Sequence, residues 1–283
     1  MTRATELRDV TTSQTSTPIV ALVLGREERA RVESALAGEH PLTFVSSLEE
    51  VRCALTRTEQ AVLIAEPRDG CGAPTAPLLQ SLRLARCDLP IIGYCAVPRD
   101  DARDVMDLSN SGVHELLFRQ ATDSPFLIRQ TLRSAMQACA ASWILGRLSE
   151  HVTTEVRTII RYCLHHPKDA TTVSRVARVL GIHRKTLTNY CARAGAPVPG
   201  ALIAWCRLLL AAQLLRSQLG SVEAVALQLD FPSATAFRNM LKRYTGLRPL
   251  DVRAGTGFEQ MLAMFTGRLA AGRGALPEPA HTA

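Results

Sequence analysis

The order of apolar and polar positions divides the chain into two patterns. From residue 18 to about 120, short apolar runs at 19–24, 42–45, 61–65, 89–94 and 115–118 alternate with stretches of helical spacing. The helical stretches fall at 26–37, 47–56, 77–86 and 100–109, and a further one runs from 124 to about 143. Strands alternating with helices predict a five-stranded parallel sheet covered on both faces. The unbroken apolar character of 19–24 and 61–65 fits strands buried on both sides. From residue 151 the spacing is wholly helical, over 155–165, 172–179, 184–192, 199–218, 222–229 and 233–244, with a short helix after Pro249. The connections are short, as in a compact helical domain. One weakly amphipathic stretch, 258–269, precedes a Gly, Pro and Ala tail, and residues 1–17 read as a disordered Thr- and Ser-rich lead.

Composition narrows this picture. A chain of 283 residues suggests roughly two domains, and 47% apolar against 21% charged residues excludes wholesale disorder. No apolar run reaches the ~18 residues of a membrane span. Arg3 has no apolar stretch behind it, so no secretory signal is expected. The eight cysteines show no paired short spacing, which leaves a zinc ribbon or CxxC site unsupported and favours reduced thiols packed as small apolar groups. No cofactor or metal is implied. The net charge of +7 is unevenly spread: residues 1–150 hold 16 basic against 19 acidic side chains, 151–253 hold 15 against 5, and 254–283 hold 2 against 2. A basic helical block behind a near-neutral one points to a polyanionic partner.

Within that block two segments look alike. Val173 to Ile182 places Val176, Ala177, Leu180 and Gly181 where Val222 to Phe231 places Val225, Ala226, Leu229 and Asp230, 49 residues later. Leu187 and Cys191 then correspond to Phe237 and Leu241 at an offset of 50. Two short helices crossing closely need a small residue at the crossing, here Ala177 or Ala226. The tight turn needs a residue tolerant of positive φ, which Gly181 supplies and Asp230 accepts. This is helix-turn-helix spacing, whose second helix enters a DNA major groove.

These residues, with Arg207, Ala211, Leu214 and Leu215 on the joining helix and the run from Phe231 to Gly246 and Pro249, resemble the AraC/XylS transcription regulators over about 155–253. The resemblance implies a double helix-turn-helix domain binding double-stranded DNA in the cytoplasm, nucleoid-associated when bound, and no enzyme. RNA polymerase or a second copy of the chain is the expected protein partner, with no membrane involved. Helical spacing turns Arg184, Lys185, Thr188 and Asn189 outward on one recognition helix, and Thr235, Arg238, Asn239 and Lys242 on the other. Lys185, Asn189, Thr235 and Asn239 are the expected base readers, since Asn matches adenine and Lys matches guanine. Ser233 as N-cap and Arg243 serve position and phosphate. His183 stands where the family usually has a capping Ser, and Asn189 and Asn239 depart from the usual readout residues.

The front part resembles a response-regulator receiver of flavodoxin-like topology, with most of its chemistry missing. Leu24-Gly25-Arg26 stands in place of the metal-binding acidic pair, Glu66 in place of the phosphoacceptor, Cys95 in place of the hydroxyl, and Arg119 in place of the lysine. A degenerate, unphosphorylated receiver-like domain follows, with Glu66 and Arg119 as a structural ion pair. The expected division is 1–17 lead, 18–122 receiver-like domain, 123–150 last helix and linker, 151–253 DNA-binding domain and 254–283 tail. Phe126, Ile128, Leu132 and Met136 could line a dimer seam or pack on the sheet. An alternative, a receiver-linked RNA-binding antitermination regulator, needs a helical unit about half as long. His165-His166 with Cys163 and Gly70-Cys71-Gly72 read as ordinary helix and loop positions.

Overall fold

The computed structural model describes residues 17–36, 38–58, 60–97, 102–217, 221–254 and 256–274, with side chains as far as Leu269. The expected lead, except Thr17, and the end of the expected tail lie outside the described residues. Five parallel strands, β1 (Ile19–Leu22), β2 (Leu42–Val45), β3 (Val62–Ala65), β4 (Ile91–Cys95) and β5 (Glu115–Phe118), form one sheet in the order β2-β1-β3-β4-β5. That order is the flavodoxin-like one. Every residue of β1, β3 and β4 is buried, as their unbroken apolar sequences require, while the edge strands β2 and β5 are only partly covered.

Alternation along the strands sends their side chains into two cores. Val20, Leu22, Leu63, Ala65 and Ile91 pack with α2 (Leu48–Thr56), α3 (Ala76–Ala85) and α4 (Arg103–Asn110). Ile19, Ala21, Ile64, Ile92 and Tyr94 face α1 (Arg26–Leu36) and α5 (Pro125–Leu148). The second core does not stop at α5. It continues without a break into the helical part through Ile144, Leu148, Ile160 and the buried face of α9.

Helix α5 therefore does more than close the sheet. Ser124 caps it by accepting from the Leu127 N–H at 3.4 Å, Pro125 opens it, and it runs 24 residues rather than ending near 143. Its Ile128, Leu132 and Met136 are buried inside the chain and only Phe126 is exposed, at 63%, so this stripe packs on the sheet and forms no free seam.

A turn at Ser149–His151 leads to α6 (Thr154–His165), α7 (Val173–Val179), α8 (Arg184–Arg193), α9 (Pro199–Arg216), α10 (Val222–Gln228), α11 (Ala234–Thr245) and α12 (Pro249–Arg253). By length and a mean hydropathy of 1.2, α9 would pass for a membrane span, although no unbroken apolar run was expected to; 78% of it is buried and it serves as the central helix of this domain. The stretch expected to be a tail is largely helix α13 (Gly257–Gly274). Its Phe258, Met261, Leu262, Phe265 and Leu269 are buried, and Phe265 stacks on Trp205 of α9 at 5.4 Å.

All eight cysteines are free; Cys53, Cys71 and Cys87 are exposed and the others buried. Among the described residues no group of three or more His, Cys, Asp and Glu side chains could hold a metal.

Candidate nucleic-acid interface

Two helical hairpins, α7–α8 and α10–α11, flank α9, and their first helices and turns repeat the same hydrogen bonds. At the first helix start, Thr172 accepts from the Arg175 N–H at 3.3 Å and Ser221 from the Ala224 N–H at 3.1 Å. At the turn, the Ile182 N–H reaches back to the Ala177 carbonyl at 3.0 Å, and the Phe231 N–H to the Ala226 carbonyl at 2.9 Å. The crossing alanines thus also close the turn. Gly181 has φ +66° and Asp230 φ +57°, so both copies use the left-handed region where Gly is unstrained and Asp is tolerated. Pro232 is the extra residue that changes the offset from 49 to 50.

The second helices start on different caps. Ser233 accepts from the Ala236 N–H at 3.0 Å, whereas His183 caps α8 through Nδ1, accepting from the Lys185 N–H at 3.2 Å. An imidazole that accepts at Nδ1 carries its proton on Nε2, which leaves a donor at the start of α8. Leu187 and Cys191, and Phe237 and Leu241, are buried and hold each helix on the core. Tyr190 is half-buried beside them.

All ten side chains singled out on these helices are exposed: Arg184, Lys185, Thr188 and Asn189 on α8, then Ser233, Thr235, Arg238, Asn239, Lys242 and Arg243 on or capping α11. Among the described residues, three have side-chain hydrogen bonds or ion pairs within the chain. Ser233 is the cap just described, Thr188 donates to the Arg184 carbonyl at 3.1 Å, and Arg238 is ion-paired with Glu223 of α10. Arg243 lies 5.3 Å from the Tyr244 ring centre. Exposed Arg178 on α7 adds positive charge beside the first hairpin, and Arg175 is paired with Asp169 at 2.7 Å.

One contact not legible from the motif ties the second hairpin to α9. Buried Arg207 donates to the carbonyls of Leu229 and Asp230, and its guanidinium lies 4.3 Å from the centre of the Phe231 ring. Burial pushes its pKa down and nearby Asp230 pulls it back up.

In the sheet part, Glu66 follows β3. One of its oxygens meets Arg119 at 2.8 Å and the other accepts from the Leu24 N–H at 3.1 Å. Burial raises its carboxyl above the ordinary range, against the pull of Arg119 and Leu24. Beside it, Asp123 accepts from Tyr94 at 2.8 Å and pairs with Arg31 at 2.9 Å, which locks the end of β4 to α1. The loop 69–73 is held by Asp69, whose Oδ1 accepts from the Cys71 and Ala73 N–H groups at 2.9 Å; its glycines serve a turn.

Comparison with known proteins finds the helical part. Residues 176–255 match the family model for a helix-turn-helix domain. No curated protein matches the chain. Among solved structures, the RcsB response regulator of Salmonella typhimurium is similar at 12% identity over 67% of this chain and 98% of that one, with a TM-score of 0.36. Full-length FixJ from B. japonicum is similar at 15% identity over 83% and 100%, with a TM-score of 0.35. The match falls on the two hairpins and the helix between them, so residues 176–255 carry a helix-turn-helix domain behind a five-stranded parallel sheet of flavodoxin-like order.

Proposed function

We propose that the chain regulates transcription by inserting α8 and α11 into successive major-groove segments of one DNA duplex, about one turn (~34 Å) apart. The observation that carries this reading is the repetition of one hairpin, with the same first-helix cap and turn hydrogen bonds, on both sides of α9, each presenting an exposed polar helix. Lys185, Asn189, Thr235 and Asn239 read base edges. Arg184, Thr188, Arg238, Lys242 and Arg243 position the helices on phosphates, with Ser233 fixing the start of α11. Arg238 must exchange Glu223 for phosphate to do so.

The receiver-like part works without phosphorylation. Its would-be acceptor is a Glu already engaged by Arg119 and the Leu24 N–H, and Leu24, Gly25 and Arg26 offer no carboxylate to a hard cation.

The test is selection of bound sequences from random duplex DNA with the full chain, repeated with Asn189→Ala and Asn239→Ala. Each variant is expected to lose preference at its own position, the two lying about one turn apart. With ~5 phosphates neutralised, log affinity falls with log salt at about −0.9 per phosphate. Salt-insensitive binding, or preference for structured RNA over duplex in competition, overturns the reading.

A further inference from the structure

We propose that Cys87, in the turn before β4, and Cys139, on α5, form a two-cysteine oxidation site: a hydroperoxide oxidises Cys87, and Cys139 closes a disulfide onto it. The observation that carries this is a contact between positions 52 residues apart. The Cys139 thiol donates to the Cys87 main-chain carbonyl, with its Sγ 3.6 Å from that oxygen. Cys87 is exposed and Cys139 is 2% exposed, and both thiols are free in the structure. The Cys87 side chain can therefore swing from solvent towards a sulfur that already touches its own main chain.

A fixed cation marks the pair. Arg83 of α3 donates from Nη1 to the same Cys87 carbonyl at 3.3 Å. Its stem passes over Gly112, where a Cβ would stand 3.1 Å from the Arg83 Cγ, so the bare glycine keeps that path open. A guanidinium beside the reacting sulfur stabilises the negative charge that develops on the oxygen leaving a peroxide. Exposed Cys53 instead donates to the Glu49 carboxylate at 3.8 Å, and exposed Cys71 stands beside Asp69 in its turn. Burial pushes the Cys139 thiol up to about 12, against the pull of Arg83, so it keeps its proton and is not the first to meet the oxidant.

The steps balance. The Cys87 sulfur takes one oxygen of the hydroperoxide as the O–O bond breaks, its proton leaves with the other oxygen as water or an alcohol, and a sulfenic acid remains. The Cys139 sulfur then attacks that sulfur. The S–S bond forms as the S–OH bond breaks, and the Cys139 proton departs with the hydroxide as water. Two electrons pass from two thiols to the peroxide, and a dithiol reverses the bond by exchange.

The site acts on the helix shared by both parts. Gln137 precedes Cys139 by two residues, which places it on the far face of α5, where it accepts from Gln228 of α10 at 3.3 Å. A bond at Cys139 draws α5 towards the turn before β4 and away from the second hairpin. That duplex affinity falls with it rests on the function proposed above.

Treatment of the full chain with excess hydrogen peroxide tests the site, with thiols counted after denaturation and peptides mapped by mass spectrometry. Loss of two of the eight thiols within one chain is expected, with a peptide joined through Cys87 and Cys139, and full return on adding dithiothreitol. Cys87→Ser, a change at an exposed position, should keep all its thiols. Cys139→Ala should stop at the Cys87 sulfenic acid, which dimedone captures. No thiol loss, or a peptide joined through any other pair, overturns the site, as does either variant behaving like the parent. Duplex binding is measured separately on the reduced and oxidised chain, and oxidation is expected to weaken it at least threefold. Equal affinity overturns the coupling while the bond stands, and a reduced chain that binds no duplex overturns the function reading alone.

Discussion

Arg207 and Asp230 are joined across 23 residues by a hydrogen bond of 2.8 Å from the guanidinium to the Asp230 main-chain carbonyl, and a second, of 2.9 Å, goes to Leu229. Both carbonyls end α10 and lack partners within that helix, so a buried cation from α9 does the work of a C-cap. The same guanidinium covers the Phe231 ring. Arg207→Met keeps the stem and removes two charge-assisted bonds, leaving two carbonyls unpaired. A loss of about 2–4 kcal/mol is expected by denaturant unfolding. Arg207→Lys keeps charge without the fork and should recover less than half of it. Equal stability of all three proteins rules the clamp out.

Asp230 itself sits at φ +57°, where its counterpart in the first hairpin is Gly181. Asp230→Gly relieves the left-handed strain without touching the carbonyl that Arg207 holds. It is expected to stabilise by about 0.5–1 kcal/mol, and Asp230→Val to destabilise by more than that. Thermal unfolding of the pair decides it, and a destabilising Gly would show that the Asp side chain contributes more than its backbone strain costs.

Much of this was written in the sequence, and its limits are physical. The hairpins are legible because close crossing restricts Ala177 and Ala226 to small residues and the turn restricts Gly181 and Asp230 to positive φ. Such steric demands act on single positions. Five strands are legible because burial on both faces leaves unbroken apolar runs. The Arg207 clamp is not, since nothing local to α9 names a carbonyl 22 residues on. Nor is the merging of the two parts into one core along α5, because the same apolar stripe at Ile128, Leu132 and Met136 serves a sheet or a second copy equally. Helix α13 carries apolar residues at 258, 261, 262, 265 and 269, a good helical face. Ala263 and Met264 on its other side blur the contrast. The meeting of Cys87 with Cys139 needs the turn before β4 and α5 together, and no motif announces it.

His114 gives the receiver-like part an acid-sensitive joint. Its Nδ1 accepts from the Ile91 N–H at 3.0 Å, its Nε2 is buried without a partner among the described residues, and burial pushes its pKa down to about 4. Arg83 adds repulsion of the charged form. The unfolded chain binds the proton first, near the ordinary ~6.5, so stability is full above that value and falls as the pH drops towards 4. The loss is on the order of 3 kcal/mol. His114→Asn, which cannot be protonated, should flatten the fall between pH 6.5 and 4 in urea unfolding; an unchanged slope assigns the fall to other groups.

Glu66 behaves in the opposite sense. Its carboxyl is raised by burial, so its contribution is full below the ordinary ~4.3 of a free Glu and lost as pH rises through the raised value. Arg119 at 2.8 Å limits that loss. Arg119→Met leaves the carboxylate with the Leu24 N–H alone and is expected to cost about 3 kcal/mol at pH 7 and much less at pH 4. In Glu66→Gln, where no charge is buried, the added Arg119→Met change should cost little at either pH. A pH-independent cost of Arg119→Met in the parent would mean the arginine acts by packing alone.

The helical part needs α13. Phe265 is fully buried, stacks on Trp205 at 5.4 Å, and shares that ring with Arg268 at 5.5 Å; Phe258 meets Trp143 of α5 at 4.9 Å. One helix thus covers the central helix of the helical part and the shared helix of the sheet. Phe265→Ala leaves a cavity against Trp205 and is expected to cost about 3–5 kcal/mol. Ending the chain at Arg253 removes five buried apolar side chains at once and exposes the face of α9 they cover. That truncated chain should show a lower unfolding temperature than one ending at Gly274, and weaker duplex binding, because α9 holds both hairpins. Matching unfolding temperatures would return this segment to the tail that its sequence suggests.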